Sequence, residues 1–580
     1  MAAADIKLAD YLFARLRQLG VQSIFGVPGD FNLRLLDFVT PAGLHWVGNC
    51  NELNAAYAAD GYGRINGLAA VITTFGVGEL SALNGIAGAY AEKTPVVHIV
   101  GTPPRAVQSA RTFVHHTFSD GDFRRFAAMS THITAAQTNL TDSATAPERI
   151  DWILQQALVH SRPVYLEIPH DMNDVLVSAA NLNSPIHVPE TPRAAHEPKV
   201  VAGVLDRVYS AQRPLILVDG ESESLNILEQ IDTLVQTTGW PTWTSIFGKS
   251  LVNEQHPNVY GLYAGAYGDP QAKEYYDGAD LVIVLGPHYS DTNTFLFSTI
   301  APSAVRVSFS ETTVQIGNDT YHDVSPRSVL SQVLQTLDVS RISRPKSLPS
   351  KPKISTADIP STDLIAQKTF FRLVNPLFRE GDIILTETGT ASHGGSGFRL
   401  PAKSRIFGAV TWLSIGFMLP ATLGAALAHR ELNASASASA KTDSQVILFI
   451  GDGSLQMTAQ EISVMIREKL RIVIFILNND GYTIERVIHG RKQAYNDVPF
   501  WRHTQALNYF GADEDHVAGN TFTARTCGEL QTVLADERIQ RGEGLRIVEV
   551  FMGREDVQGV LLDLLNRQVA RSSSCPHRLE

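Results

Sequence analysis

Residues 446–485 constrain this chain more than any other stretch. They contain a continuous apolar run (446–450), a turn Gly451-Asp452-Gly453-Ser454, and a segment with Ile462, Met465 and Ile466 at helical spacing. A second β-branched apolar run (472–477) and a turn Asn478-Asn479-Asp480-Gly481 follow. That order predicts a βαβ unit. The 24 residues between Gly453 and Asn478 suffice for a crossover helix, so the two strands are expected to be parallel neighbours. Such neighbours lie about 4.8 Å apart with their carboxyl ends on one edge. Asp452 and Asn479 then stand side by side where open α/β sheets bind ligands. Asp452 offers a carboxylate, Asn479 an amide oxygen and Gly481 a carbonyl, a set of hard oxygens that suits Mg2+. About three of its six positions are left for phosphate oxygens and water. Ser454 is expected to open the helix whose N-terminal N–H groups receive that phosphate. A phosphorylated cofactor is implied.

The rest of the chain sets bounds. At 580 residues it exceeds one hydrophobic core. A net charge of −11 leaves no basic surplus for phosphate contacts along a nucleic acid. Cys50, Cys527 and Cys575 are odd in number and widely spaced, which supports neither a disulfide framework nor a zinc site. No apolar run approaches the roughly 18 residues that span a bilayer, and the start of the chain is amphipathic (Leu8, Leu12, Leu16, Leu19) rather than signal-like. A soluble, cytoplasmic protein is expected, with no membrane or nucleic-acid partner.

Helical and strand patterns alternate over residues 1–182, including a helical run that opens at Asn51-Glu52 and is expected to end near Gly61. Two Pro-rich segments interrupt the chain, 183–198 (Pro185, Pro189, Pro192, Pro198) and 338–362 (Pro345, Pro349, Pro352, Pro360). The expected fold class is α/β: three doubly wound domains with mainly parallel sheets, at 1–182, 199–337 and 363–580. The first and third resemble each other weakly, each having a small-residue helix after a glycine turn (Gly76-Val77-Gly78; Ser414-Ile415-Gly416). The Ala-Ser run 434–440 reads as a surface insertion.

Gly-Asp-Gly followed at this spacing by Asn-Asn resembles the thiamine diphosphate motif, and Asn478-Asn479-Asp480-Gly481-Tyr482-Thr483-Ile484-Glu485 resembles the fungal pyruvate decarboxylase branch of the 2-oxo acid decarboxylases. The likeness runs from residue 5 to about 550 and includes the segment from Phe75 to Gly85. It implies a thiamine diphosphate and Mg2+ enzyme, with Asp452, Asn479 and Gly481 on the metal. Cofactor contacts are implied for Glu52, Thr390, Leu413, Ser414, Ile415, Asp452, Gly453, Ser454, Asn479, Gly481, Tyr482, Thr483 and Ile484. Glu52 by itself reads as a helix N-terminal acid interacting with the dipole. The resemblance makes it the group that shares a proton with the aminopyrimidine ring. Adjacent His115-His116 and the Pro28-Gly29-Asp30 turn are commonplace alone. In the resemblance, Asp30, His115, His116 and Glu485 handle protons at the substrate. Active sites are implied at the subunit interface of a homodimer or homotetramer, so a monomer is expected to be inactive. An acyloin-forming carboligase and a non-catalytic homologue are the alternative functions.

Some positions depart from yeast-type relatives. Thr292 stands where an aromatic residue is usual, Ser392-His393 replaces a small and an aromatic residue, and Leu413 replaces a glycine. With Thr388, Ile484 and Ile488, Thr292 and Ser392 make up the expected substrate pocket, reshaped for a 2-oxo acid larger than pyruvate. The region 218–222 lacks the thiol of yeast-type enzymes, so thiol-mediated substrate activation is not expected.

Overall fold

A computed structural model describes residues 5–189, 194–345, 348–351, 354–437, 441–557, 561–563, 565–567 and 570. Cys575 and residues 438–440 of the Ala-Ser run lie outside them. The described start of that run, Ala434-Ser435, closes the helix Met418–Ser435.

Three sheets organise the described chain, with a small antiparallel pair of strands, Asp5–Lys7 and Leu176–Ser178, beside the first. The first has six parallel strands in the spatial order His45–Trp46, Ser23–Gly26, Ala69–Thr74, Val96–Thr102, Val164–Pro169 and Gln137–Asn139. The last also has six, in the order Arg405–Phe407, Ile383–Thr386, Val446–Gly451, Ile472–Asn478, Leu545–Phe551 and Thr521–Ala524, again all parallel. Numbered by chain order, each reads 2-1-3-4-6-5, so the weak sequence likeness reflects a shared topology. The middle sheet has seven strands. Five are parallel (Val259–Leu262, Thr242–Thr244, Pro214–Val218, Leu281–Leu285, Arg306–Ser310), and an antiparallel edge follows (Thr313–Ile316, Asp319–His322). The central strands are buried along nearly their whole length, as parallel sheets covered on both faces require.

The helix Glu52–Asn66 starts where Asn51 accepts the Asn54 N–H at 2.8 Å, and ends at Gly67 in the left-handed region (φ +89°). It does not stop at Gly61. Gly61 lies against the backbone of Ala421, where a Cβ would come within 2.1 Å of the carbonyl oxygen; Gly424 lies equally close to the Ala58 carbonyl, at 1.8 Å. These glycines are contact points between two helices, Glu52–Asn66 and Met418–Ser435, which join the first and third domains through a seam of small residues. Ala55, Ala56, Ala58 and Ala59 share one buried cluster with Ala421, Ala425, Ala426 and Ala428.

Candidate active site

The strands Val446–Gly451 and Ile472–Asn478 pair in parallel from Val446↔Ile472 to Gly451↔Leu477, which sets Asp452 and Asn479 together at one edge. The helix begins at Asp452, two residues before the expected Ser454, because Gly451 already has extended backbone and serves as the cap. The crossover is broken into Asp452–Thr458, a 3-10 turn and Ile462–Arg467; Thr458 leaves helical geometry (φ −139°) and its hydroxyl donates to the Gly416 carbonyl at 2.8 Å.

Asp452 is buried, and burial raises its carboxyl above the usual range. Its Oδ1 accepts the Gly453 N–H at 2.9 Å and its Oδ2 the Gly481 N–H at 3.0 Å. As placed, the Asn479 amide oxygen lies 3.1 Å from Asp452 Oδ1 and 2.8 Å from the Gly481 carbonyl oxygen, with no hydrogen between them. Three lone-pair donors converging in this way fit a hard divalent cation; turned over, the same amide would donate to both neighbours. Arg486, fully buried, clamps the turn from below. It donates to the Asn479 and Asp480 carbonyls and pairs with Asp497 at 2.9 Å. Sequence reasoning missed it, since an arginine one turn along a short helix reads as solvated.

Beside these oxygens lies a cavity of about 270 Å3. Thr388, Thr390 and Ile415 line one side, Gly451 to Ser454 another, and Asn479, Gly481, Tyr482, Thr483, Ile484 and Glu485 a third. Met457, unassigned from sequence, closes a corner. A Cβ on Gly453 would meet the Tyr482 ring at 2.6 Å, so only glycine fits under that ring. Glu387, buried, accepts the N–H groups of Thr388 at 2.9 Å and Met418 at 3.0 Å, and burial raises its carboxyl to about 7. Leu413 has φ +52°, a left-handed conformation that explains why glycine suits the position. The loop stays in place because Glu92 accepts the N–H groups of Val410, Thr411 and Trp412 at 2.7, 2.9 and 3.2 Å, and Ser414 meets Tyr57 at 2.6 Å.

A second constellation lies on the first domain. Asp30 follows the strand Ser23–Gly26, and its carboxylate contacts His115 Nε2 and lies 3.8 Å from His116 Nε2. Glu52 is the first residue of its helix; burial raises its carboxyl, and its Oε1 lies 3.1 Å from where Gly78 would carry a Cβ. Gly76 fits beneath the His116 carbonyl, where a Cβ would be 2.2 Å away. Glu79, buried and unassigned from sequence, fixes Gly76 by accepting its N–H at 2.8 Å and accepts the Tyr165 hydroxyl at 2.7 Å.

Asp30, Glu52, His115 and His116 do not line the 270 Å3 cavity, which is built from third-domain residues. Of the expected substrate-pocket residues, Thr388 and Ile484 line it. Ile488 is half exposed, and Thr292 donates to the Val410 carbonyl. Ser392 faces a separate void of about 20 Å3, next to Thr386 and Phe407. His393 bonds the Gly389 carbonyl through Nδ1 at 3.0 Å, and burial lowers its pKa, which keeps the ring neutral.

Comparison with known proteins decides the family. Residues 6–125, 201–337 and 388–517 match the N-terminal TPP binding domain, central domain and C-terminal TPP binding domain of thiamine pyrophosphate enzymes. The chain belongs to the thiamine pyrophosphate enzyme family. It is 52% identical over 578 residues to a pyruvate decarboxylase of Aspergillus parasiticus, covering 99% of both chains. It is 40% identical to pyruvate decarboxylase isozyme 1 of Saccharomyces cerevisiae, covering 95% of this chain and 96% of that one. A solved structure, a Rhodococcus jostii thiamine diphosphate-dependent 4-hydroxybenzoylformate decarboxylase, shares the fold (TM-score 0.74, 18% identity, 95% of this chain and 100% of that one). Among the described residues, no helix is long and apolar enough to cross a membrane.

Proposed function

We infer that this chain is a thiamine diphosphate and Mg2+ dependent decarboxylase that converts a 2-oxo acid to an aldehyde and CO2 without oxidation. The observation that carries this reading is the three-oxygen convergence of Asp452, Asn479 and Gly481 beside Glu485, in a chain similar over its full length to pyruvate decarboxylases.

Asp452, Asn479 and the Gly481 carbonyl would hold Mg2+, and the first turn of the Asp452–Thr458 helix, with Ser454, would receive the diphosphate. Thr390, Leu413, Ser414, Ile415, Gly453, Tyr482, Thr483 and Ile484 surround the remaining cofactor. When bound, thiamine diphosphate supplies the electron sink for breaking the bond to the carboxylate. Glu52 holds a proton at its carboxyl, a task suited to an acid raised by burial. Asp30, His115, His116 and Glu485 deliver and remove protons at the substrate carbon and oxygen.

Glu52 and the histidines belong to one half-site, Asp452 and Glu485 to another, and the cavity of this chain includes only the second. This separation supports a homodimer or homotetramer whose active sites form between subunits. Free Cys50 and Cys527 are consistent with a cytoplasmic setting. Thr292, Thr388, Ser392, Ile484 and Ile488 are proposed to shape the substrate pocket, and the absence of an aromatic side chain at 292 favours 2-oxo acids larger than pyruvate.

A panel of pyruvate, branched-chain 2-oxo acids and arylpyruvates, assayed for CO2 and aldehyde, tests the function. Equimolar CO2 and aldehyde are expected, with a higher kcat/KM for at least one larger acid. No CO2 from any of them would overturn the reading.

A further inference from the structure

The groups proposed to handle protons on the first domain also have the composition of a metal site. One ligand atom each from Asp30, His115 and His116 lies within 4.8 Å of the other two. In a tetrahedral zinc site, bonds of about 2.0–2.1 Å set ligand atoms about 3.4 Å apart. His116 Nε2 is 3.8 Å from Asp30 Oδ1, and His115 Nε2 already contacts Oδ2 of the same carboxylate. Small side-chain rotations therefore bring the set to bonding distance.

The rings are held in this orientation. Phe31 stacks on His115 (centroids 5.2 Å apart, 26° between planes), Phe75 meets His116 edge-on at 6.3 Å, and Gly76 fixes the His116 carbonyl from below. In the single chain the Asp30 and His115 side chains are 48% and 60% exposed, so coordination positions beyond the three ligands are open to water. Two imidazoles and one carboxylate favour a borderline ion such as Zn2+ over Mg2+, which takes oxygen ligands.

We propose that Asp30, His115 and His116 form a binding site for a borderline divalent metal ion, and that its occupancy inhibits the enzyme. Binding depends only on the three side chains. The inhibitory consequence rests on the decarboxylase reading above, because a bound ion takes up the lone pairs through which these groups would move protons.

The test is equilibrium dialysis of the holoenzyme against Zn2+ with thiamine diphosphate and excess Mg2+ present, alongside aldehyde production. One Zn2+ per chain is expected to remain bound under Mg2+ excess, and aldehyde production to fall as that site fills. His115→Ala, His116→Ala and Asp30→Asn should each weaken Zn2+ binding by roughly tenfold or more, the loss typical even of outer-shell partners. Retained thiamine diphosphate in these variants would show that they fold. Should a variant misfold, the spectrum of Cu2+ bound to the wild type reports directly whether two imidazole nitrogens ligate. Unchanged Zn2+ affinity in folded variants, displacement of Zn2+ by Mg2+, or a spectrum without nitrogen ligation would overturn the proposal. A chain that makes no aldehyde even in the absence of Zn2+, but binds Zn2+ here, would refute the decarboxylase reading and leave the metal site standing.

Discussion

The first and third domains share one strand order and put it to different uses. After strand 3, the third domain turns through Asp452-Gly453-Ser454, whereas the first turns through Gly76-Val77-Gly78-Glu79. In the third domain the acid at the strand end accepts the Gly453 and Gly481 N–H groups and faces the Asn479 amide and the Gly481 carbonyl across the second turn. In the first, the acid lies three residues further on and folds back onto the Gly76 N–H, so its charge is spent inside the domain. Strand 2 leads to Glu52 in the first domain and to the Leu413–Ile415 loop in the third. The helices that follow these two segments pack against each other through Gly61 and Gly424. A common topology thus yields one edge where the oxygens of Asp452, Asn479 and Gly481 converge, and another beside which Asp30, Glu52, His115 and His116 lie. The difference lies in where each acid is held: Asp452 reaches across to the Gly481 turn, whereas Glu79 folds back onto its own.

Each side of that comparison can be broken separately. Glu52→Gln should lower kcat by roughly 10^2 to 10^4-fold, the range for a lost acid–base group, while Mg2+ and thiamine diphosphate stay bound. An active variant, measured by steady-state aldehyde production, would remove Glu52 from the proton side. Asp452→Asn attacks the other edge. Mg2+ affinity, followed by titration calorimetry, should fall by on the order of a hundredfold as the only carboxylate among the three oxygens is lost. Unaltered affinity would mean that the cation sits elsewhere.

The seam is next. Gly424→Ala places a Cβ 1.8 Å from the Ala58 carbonyl, a backbone atom that cannot rotate away. Overpacking of this kind costs about 1–3 kcal/mol, so the thermal midpoint should drop by a few degrees; an unshifted midpoint would show that the helices separate freely.

The fourth effect is confined to a pH window. Burial raises the Glu79 carboxyl from 4.5 to about 7. The folded chain then binds more protons than the unfolded chain between those values, so wild-type stability declines as pH rises from 4.5 to 7. Glu79→Gln lacks this titration. Its stability relative to wild type should climb across the window by up to about 3 kcal/mol, read as the difference in thermal midpoints. A constant difference would mean that Glu79 does not carry the shift. The smallest expected effect is from Leu413→Gly, which relieves the left-handed backbone at φ +52°. The gain is no more than about 1 kcal/mol once chain entropy offsets it.

Local pattern alone determined the βαβ unit around Asp452 and Asn479, because buried parallel strands need continuous apolar runs and a crossover of fixed minimum length. It also determined the turn residues that meet at the strand ends, since register follows once two parallel strands are adjacent. Glycines at helix–helix contacts were misread there. Gly61 looks like a stop signal until Ala421 of a distant helix is placed against it. Arg486 and Glu79 were invisible for the same reason: what decides whether a charged side chain is solvated or clamps a backbone turn is burial, and burial is set by packing between segments far apart in the chain. Tertiary structure alone decided that Asp30, Glu52, His115 and His116 of the first domain lie outside the cavity beside Asp452 and Asn479. No local pattern encodes the distance between two sheets.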